Sequence, residues 1–435
     1  MHLKSIQIQN FRCFEDLTVD FEDDLTVFVA MNGGGKTTLM DAIAAAFEPW
    51  VIKLLQRNLP QISIKDLRRN PDGSRAGDLR VQIVALNEMN WQIIPEVVDV
   101  PDEDQTLYTN WNAWGSSLES LDRIRESVSK DSHSEVEVPV IAYYRSTRNL
   151  ANAPKVGNKD RQFPRLDVWL TALDAVANYQ DVIDWFHSKE VEEFRKNREH
   201  PEKRIPLPDL QCVRLAVTSI LKPAEDIYFT ATTPTKPALT WRENGGEPEE
   251  RLISQLSDGY RNMLALVMDF ARRLAQANPQ LEDPLAAEAI MLVDEIDLHL
   301  HPRWQQTILE DLRGTFPNTQ IIVTTHSPQV LTTVQSRCIR ILDDGQVRAA
   351  PPASDGAESA RLLERIMGVP SRPQSNPHAR SLKRLQQLIA DHKLDEATQV
   401  LESLKEWSQG EEPELIGAEM EIANRRWEDS ESAAG

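Results

Sequence analysis

The chain opens on an alternation: Ile6, Ile8 and Phe11 on one face, with polar Gln7, Gln9 and Asn10 between them. That period predicts a half-buried β-strand. The unbroken apolar run Leu25-Thr26-Val27-Phe28-Val29 predicts a fully buried one. A glycine cluster follows at once, and Thr37 to Phe47 then reads as a helix of strong helix formers without a breaker. Strand-like patterning returns over Leu79 to Val100, and a short core strand is expected within 138–145. Residues 101–137, acidic and serine-rich with Trp111 and Trp114, read as a surface insertion of weak structure.

Residues 165–200 place Leu166, Trp169, Leu170, Leu173 and Val176, then Val182, Ile183, Trp185 and Phe186, at helical spacing. Aromatic residues in such a stripe belong to a core rather than to a ligand site. Two strands are expected within 226–242, joined by Thr233-Pro234-Thr235-Lys236-Pro237, and a long helix from Ser257 to Gln276. An apolar run at 287–295 ends in two acids, Gln320 to Thr325 is a buried strand, and Cys338 to Leu342 leads into the turn Asp343-Asp344-Gly345. Strands alternating with helices predict a mostly parallel α/β core. Residues 370–377 look like a linker. Beyond them, Leu382, Leu385, Leu388 and Ile389, then Leu394, Ala397, Val400, Leu401, Leu404 and Trp407, predict two amphipathic helices, with a third from Glu412 to Trp427.

Composition sharpens this picture in four ways. A length of 435 residues exceeds one typical domain. No stretch approaches the ~20 apolar residues of a membrane span, and the start lacks the apolar segment of a secretion signal. Three scattered cysteines, Cys13, Cys212 and Cys338, argue against a disulfide framework and for a reducing cytoplasm. A formal net charge of −20 means that any DNA contact is local or made through a partner, unless the acidity only maintains solubility.

The glycine loop Ala30-Met31-Asn32-Gly33-Gly34-Gly35-Lys36-Thr37-Thr38 nearly matches a P-loop, in which small residues let backbone N–H groups wrap a phosphate at a helix N-terminus. Lys36 would reach the β- and γ-phosphates of ATP, and Thr37 would sit on Mg²⁺. Ala30 stands where the strict pattern has glycine, and a plain glycine turn is the alternative. The strand Ala289 to Val293 delivers Asp294 and Glu295 to its C-terminal edge. Two buried acids are costly without a cation; with Mg²⁺–ATP, Asp294 would hold the metal through water and Glu295 would act as general base. A strand ending in solvated acids is the bland reading. Finally, Leu256-Ser257-Asp258-Gly259 opens a long helix that Ser257 can cap, leaving an anion site at its N-terminus; a plain capped helix is the alternative.

The order of these segments, closed by a strand ending in Thr325-His326, resembles the ABC-type ATPases. The resemblance implies a P-loop ATPase core with a mostly parallel sheet, antiparallel N-terminal strands, helical insertions and a C-terminal helical segment. Along the chain this gives an N-terminal lobe at 1–100, an insertion at 101–210, the signature-bearing core at 211–350 and a helical segment at 351–435. It also implies that Ser257, Asp258 and Gly259 form the signature segment of one copy, closing over ATP held by Asn32, Gly33, Gly34, Gly35, Lys36, Thr37 and Thr38 of another. His326 would then be the γ-phosphate-sensing switch, and Asp297 would lie in the loop crossing the dimer interface. Asp258 and Tyr260-Arg261 depart from the pattern, and Asp258 would point away from phosphate or pair with Arg261.

The opening Ile8-Gln9-Asn10-Phe11-Arg12, Asn32 and Asp294 to Pro302 resemble the RecF/SMC-like branch. Ala142-Tyr143-Tyr144-Arg145, the Trp185-Phe186 helix and the Leu256 to Arg261 segment are most similar to the ATPase subunits of Septu-type antiphage systems. About 220 residues between P-loop and signature carry no heptad pattern, so no long coiled coil is expected.

The function expected is an ATP-binding and hydrolysing clamp, a head-to-tail dimer or a multiple of it, that regulates a separate HNH-type nuclease and reaches DNA through the complex, with no membrane role. The 381–430 tail would serve assembly or docking, or simply pack. One alternative is a RecF-like DNA-repair ATPase, using Lys65, Arg68 and Arg69 or Arg195, Lys196, Arg198, Lys203 and Arg204, for both of which a solvated helix face is the favoured reading. The other is a nucleotide sensor with little turnover.

Overall fold

A computed structural model describes residues 1–56, 64–76, 79–85, 90–96, 108–114, 117–131, 134–146, 162–173, 179–199, 205–232, 236–243, 245–409 and 412–434. They form two compact units, Met1–Leu362 and Leu363–Gly435.

The first unit is built on a six-stranded sheet in the order Gln346–Ala349, Ile339–Asp343, Leu25–Ala30, Thr319–Thr325, Ala289–Val293, Val140–Tyr144. Only the Gln346–Ala349 edge strand runs antiparallel; the other five are parallel. Val140–Tyr144, Ala289–Val293, Thr319–Thr325 and Leu25–Ala30 are buried throughout, as expected of strands covered on both faces. Because the strands are parallel, their C-terminal ends share one edge. That edge collects the loop after Ala30, the segment after Val293 and the residue after Thr325, and such an edge is where open α/β sheets bind ligands.

A second, antiparallel sheet has the order Phe14–Asp20, Leu3–Phe11, Arg80–Ala85, Asn90–Glu96, Tyr108–Trp114. The expected alternation holds through Ile8 and breaks at Asn10, whose φ of 56° is left-handed. The break returns Phe11, 1% exposed, to the core face of Ile6 and Ile8.

The expectation of weak structure over 101–137 is corrected. Tyr108–Trp114 pairs along its full length with Asn90–Glu96, and Ser117–Lys130 is a helix with Leu121 and Val128 buried at i, i+7. Its acidic composition marked the solvent face and hid that stripe; residues 101–107 lie outside the described residues. The helix expected from 165 is also only partly found. Arg165–Trp169 is a single 3₁₀ turn, and the regular helix is Tyr179–Glu199; Val176 lies outside the described residues. Tertiary contacts decide the difference. The Arg165 guanidinium donates to the carbonyls of Ala277, Ser134 and Val136, and Trp169 Nε1 to that of Pro139. Trp169, Trp185 and Phe186 are core, each 1% exposed.

Two strands near 226–242 are present as Ala224–Phe229 and Pro237–Trp241, and the charged edge strand Glu249–Leu252 completes a three-stranded sheet. Residues 233–235 of the expected connection lie outside the described residues. Pro208–Ile220, which the sequence reading passed over, is a helix with proline in its first turn and Leu210, Val213, Val217 and Ile220 buried. It packs on the helix Asp258–Ala277.

The second unit contains the helices Pro377–Ala390, Leu394–Ser408 and Pro413–Ala434 around Leu382, Leu385, Ile389, Leu401, Leu404, Leu415 and Ile422. Pro377, expected in a linker, opens the first of these. The side chain of Asn376 caps it, accepting from His378 N at 2.9 Å and Ala379 N at 3.3 Å. Among the described residues no helix is long and apolar enough to cross a membrane.

Candidate nucleotide site

The loop after Leu25–Ala30 turns into the helix Lys36–Ala46 through Gly33 at φ 80° and Gly35 at φ 91°, both in the region that glycine adopts without strain. A methyl on Gly35 would meet Phe14 Cζ at 2.6 Å, and one on Gly34 would meet Ala30 Cβ at 2.8 Å. Ala30 is therefore tolerated because its methyl fills the space that glycine leaves at residue 34. Lys36 lies within this loop, donating from Nζ to the Ala30 carbonyl at 3.0 Å. Burial lowers the pKa of its ammonium, while Asp294, Glu295 and Asp297 act in the opposite sense.

The strand ends bring the expected acids to this loop. Thr37 Oγ1 donates to Asp294 Oδ2 at 2.7 Å and Thr324 Oγ1 to Asp294 Oδ1 at 2.6 Å. Asp294 is 1% exposed and its backbone N–H donates to the Tyr144 carbonyl. Glu295 sits at φ 52°, an uncommon conformation for a non-glycine residue, with its N–H donating to Thr324 Oγ1 at 2.8 Å. Asp297 Oδ1 accepts from Thr325 Oγ1 at 2.5 Å and from the His326 N–H at 3.3 Å. The edge thus gathers Lys36, Thr37, Asp294, Glu295, Asp297 and exposed His326 from segments nearly 300 residues apart. Oxygen donors beside a loop of backbone N–H groups suit a phosphate with a hard cation.

The signature residues stand elsewhere. Ser257 holds the N-cap position of Asp258–Ala277, but its side chain makes no capping bond, contrary to expectation. Its backbone is extended, at ψ 159°, and it lines an open cleft of about 740 Å³ together with Tyr260, His299, His301, Arg303 and Trp304. Gly259 is required sterically, because a methyl there would lie 2.4 Å from the His299 carbonyl. Asp258 pairs with Arg261 on the next turn. Among the described residues no hydrogen bond or ion pair joins Ser257, Asp258 or Gly259 to the P-loop of the same chain.

Two polar clusters escaped the sequence reading. Asp41, one turn beyond Thr37, is 7% exposed. It accepts from Arg12 Nη1 and Arg145 Nη2, each at 2.5 Å, and from the Tyr143 hydroxyl at 2.9 Å. Burial, with Asp41 beside it, raises the Tyr143 pKa and keeps that hydroxyl a donor. The second cluster anchors the signature helix: Asp269 accepts from Arg272, Arg273 and the Tyr144 hydroxyl. In both places the available signal was a charged residue inside an apolar helix, which demands a partner.

The family profile described as "AAA domain, putative AbiEii toxin, Type IV TA system" matches residues 109–332, and a second, described as "AAA domain", matches residues 5–50. The chain belongs to the first of these families. Along 99% of its length it is 28% identical to the "Retron Ec83 probable ATPase" of Escherichia coli, covering 88% of that protein. It is 24% identical over 79% of its length to the "Retron Vc95 probable ATPase" of Vibrio cholerae, covering 74% of it. It is 23% identical over 80% of its length to "Septu protein PtuA" of Bacillus mycoides, of which it covers 41%. The chain is a nucleotide-binding P-loop ATPase, similar along its length to proteins of retron and Septu systems.

Proposed function

We propose that the chain binds ATP with Mg²⁺ at the strand edge, closes head to tail on a second copy, and in the closed form controls a separately encoded HNH-type nuclease in antiphage defence. One observation carries this reading. The P-loop, both acids, Asp297 and His326 are assembled within one chain, whereas Ser257 and Gly259 face an open cleft away from them. Such a half-site is completed by a second copy.

In this reading the backbone of Asn32 to Gly35 cradles the phosphates, Lys36 neutralises their β/γ charge, and Thr37 and Thr38 open the helix beneath them. Thr37 Oγ1 and Asp294, adjacent in space, hold the cation, directly or through water. The cation, when bound, supplies charge neutralisation on the phosphate oxygens. Glu295 polarises the attacking water as general base. Asp297 fixes the backbone of His326, so that the imidazole is presented to the γ-phosphate from the strand edge. Ser257 and the helix N-terminus behind it supply the partner copy's anion site, and Asp258, drawn to Arg261, leaves that site free of its charge. The retron and Septu names of the relatives support the defence setting. The exposed stripe Ile416, Met420 and Trp427 of the terminal helix supports a docking role for the tail, through which a nuclease and its DNA would be reached. A cytoplasmic setting belongs to the same reading, and three free thiols support it.

The test is Glu295→Gln in the full chain. ATP affinity should be retained, turnover should fall at least about 100-fold, and the ATP-bound variant should sediment as a dimer or a multiple of one. Unchanged turnover, or a monomer at saturating ATP, would remove the composite site.

A further inference from the structure

We infer that the second unit carries a binding surface for the phosphodiester backbone of a nucleic acid, on the outer face of the helix Pro377–Ala390. Arg380, Lys383 and Arg384 line one side of an open cleft of about 430 Å³, and Lys393 joins them just past the helix end. All four are exposed, and among the described residues none makes an ion pair or side-chain hydrogen bond. Their neighbours are neutralised: Arg372 by Glu412 and Glu414, Lys405 by Glu419, Arg425 by Glu421 and Arg426 by Asp395. In a chain of net charge −20, four neighbouring cations that make no ion pair outnumber the two acids of the same cleft, Asp391 and Glu396, and form a local positive surface.

Geometry selects the ligand. Arg380, Lys383 and Arg384 follow i, i+3, i+4 spacing, opposite the buried Leu382, Leu385 and Ile389. From Arg380 to Arg384 the row rises about 6 Å, and a strand of a duplex presents a phosphate every ~3.4 Å of axis. Neighbouring phosphates thus fit along the row, and Lys393 extends it past the helix end. None of the cleft's lining residues is aromatic, and Leu388 is its one apolar member. A docked protein segment would want an apolar anchor pocket, and a base-reading site would want stacking platforms. Neither is present. Of the basic residues singled out in the sequence, Arg68 pairs with Glu15 and Lys196 with Glu192, Lys203 and Arg204 lie outside the described residues, and Arg195 and Arg198 stand on a separate helix as a control.

The contact needs neither the nuclease nor the closed dimer of the proposed function, so the outcome for Glu295→Gln leaves it untouched. It is tested with the full chain by fluorescence anisotropy on a DNA duplex and an RNA duplex of equal length, between about 50 and 200 mM salt. Binding should be sequence-independent, with log K falling against log[salt] at a slope of about −3 to −4, for about four contacts. The triple variant Arg380→Glu/Lys383→Glu/Arg384→Glu should lose at least about tenfold in affinity and most of that slope. Its melting midpoint and ATP turnover should match the wild type, and Arg195→Glu/Arg198→Glu should bind normally. Binding of either duplex supports the proposal, and their ratio tells which nucleic acid is preferred. No binding at the lowest salt, equal binding by the triple variant, loss in the Arg195/Arg198 variant instead, or displacement of duplex by stoichiometric polyglutamate would overturn it.

Discussion

Asp269→Asn replaces a single oxygen in the middle of the signature helix, and its effect can be worked out from the charges around it. The side chains of Asp269, Arg272 and Arg273 are 3%, 5% and 3% exposed. Arg272 Nη2 donates to one carboxylate oxygen at 2.7 Å, and Arg273 Nε, also at 2.7 Å, to the other, which also accepts from the Tyr144 hydroxyl at 2.9 Å. Burial pushes the carboxyl pKa up, but Arg273 and Arg272 outweigh it and hold it at about 2. Against an ordinary carboxylate that depression is worth on the order of 2–3 kcal/mol at neutral pH. Because the folded pKa is lowered, this stability is present above about pH 4 and is lost as pH falls towards 2. Asparagine removes more than that. It leaves two buried guanidiniums without their counter-charge, and breaking a buried pair from one side costs about 3–5 kcal/mol. The larger figure should govern.

Urea unfolding at pH 7, followed by tryptophan fluorescence, measures the loss; eight of the ten tryptophans lie in the same unit. Tyr144→Phe, which deletes one donor to the charged group, should cost about 1.5–3 kcal/mol. The double variant should lose less than the sum of the two, because both changes act on one carboxylate. The variant should also lose the acid-dependent part of its stability between pH 4 and 2. A loss below about 1 kcal/mol for Asp269→Asn would refute the claim that this charge holds the signature helix to Tyr144 and, through the Tyr144 carbonyl, to Asp294.

Two further outcomes are expected. Burial raises the Glu190 carboxyl to about 7, against the opposing pull of the Phe229 N–H and Arg214. A raised folded pKa gives stability that is full below the ordinary carboxylate value and lost as pH rises through 7. Glu190→Gln should therefore flatten the fall in melting midpoint between pH 5 and 7.5, and an unchanged slope would reject the assignment. Gly259→Ala puts a methyl 2.4 Å from the His299 carbonyl. This should destabilise by about 1–3 kcal/mol and lower ATP turnover more than tenfold while ATP affinity is kept. Wild-type turnover would show that the close approach has no part in the reaction.

The sequence alone determined the elements whose chemistry is local. An apolar strand, a glycine loop and a helix appear consecutively from Leu25 to Ala46, because left-handed φ values at Gly33 and Gly35 and a buried strand before them leave their marks on adjacent residues. The acids after Val293 and the histidine after Thr325 were legible for the same reason: each ends its own apolar run. Only the tertiary structure decided what lies beside what. The six-stranded order places Val293 and Thr325 on neighbouring parallel strands and so sets Thr37 and Thr324 against Asp294. Asp41 and Asp269 belong to this second kind of information. Each is an acid in an apolar helix; Arg272 and Arg273 follow Asp269 on its own helix, but Arg12, Tyr143 and Arg145 for Asp41, and Tyr144 for Asp269, come from segments that no local pattern connects to them. The segments misread, 101–137 and 165–173, fail for a related reason. Strand pairing and the carbonyls around Arg165 override the local composition there, since hydrogen bonds and burial gained at a distance outweigh fractions of a kcal/mol of intrinsic propensity per residue.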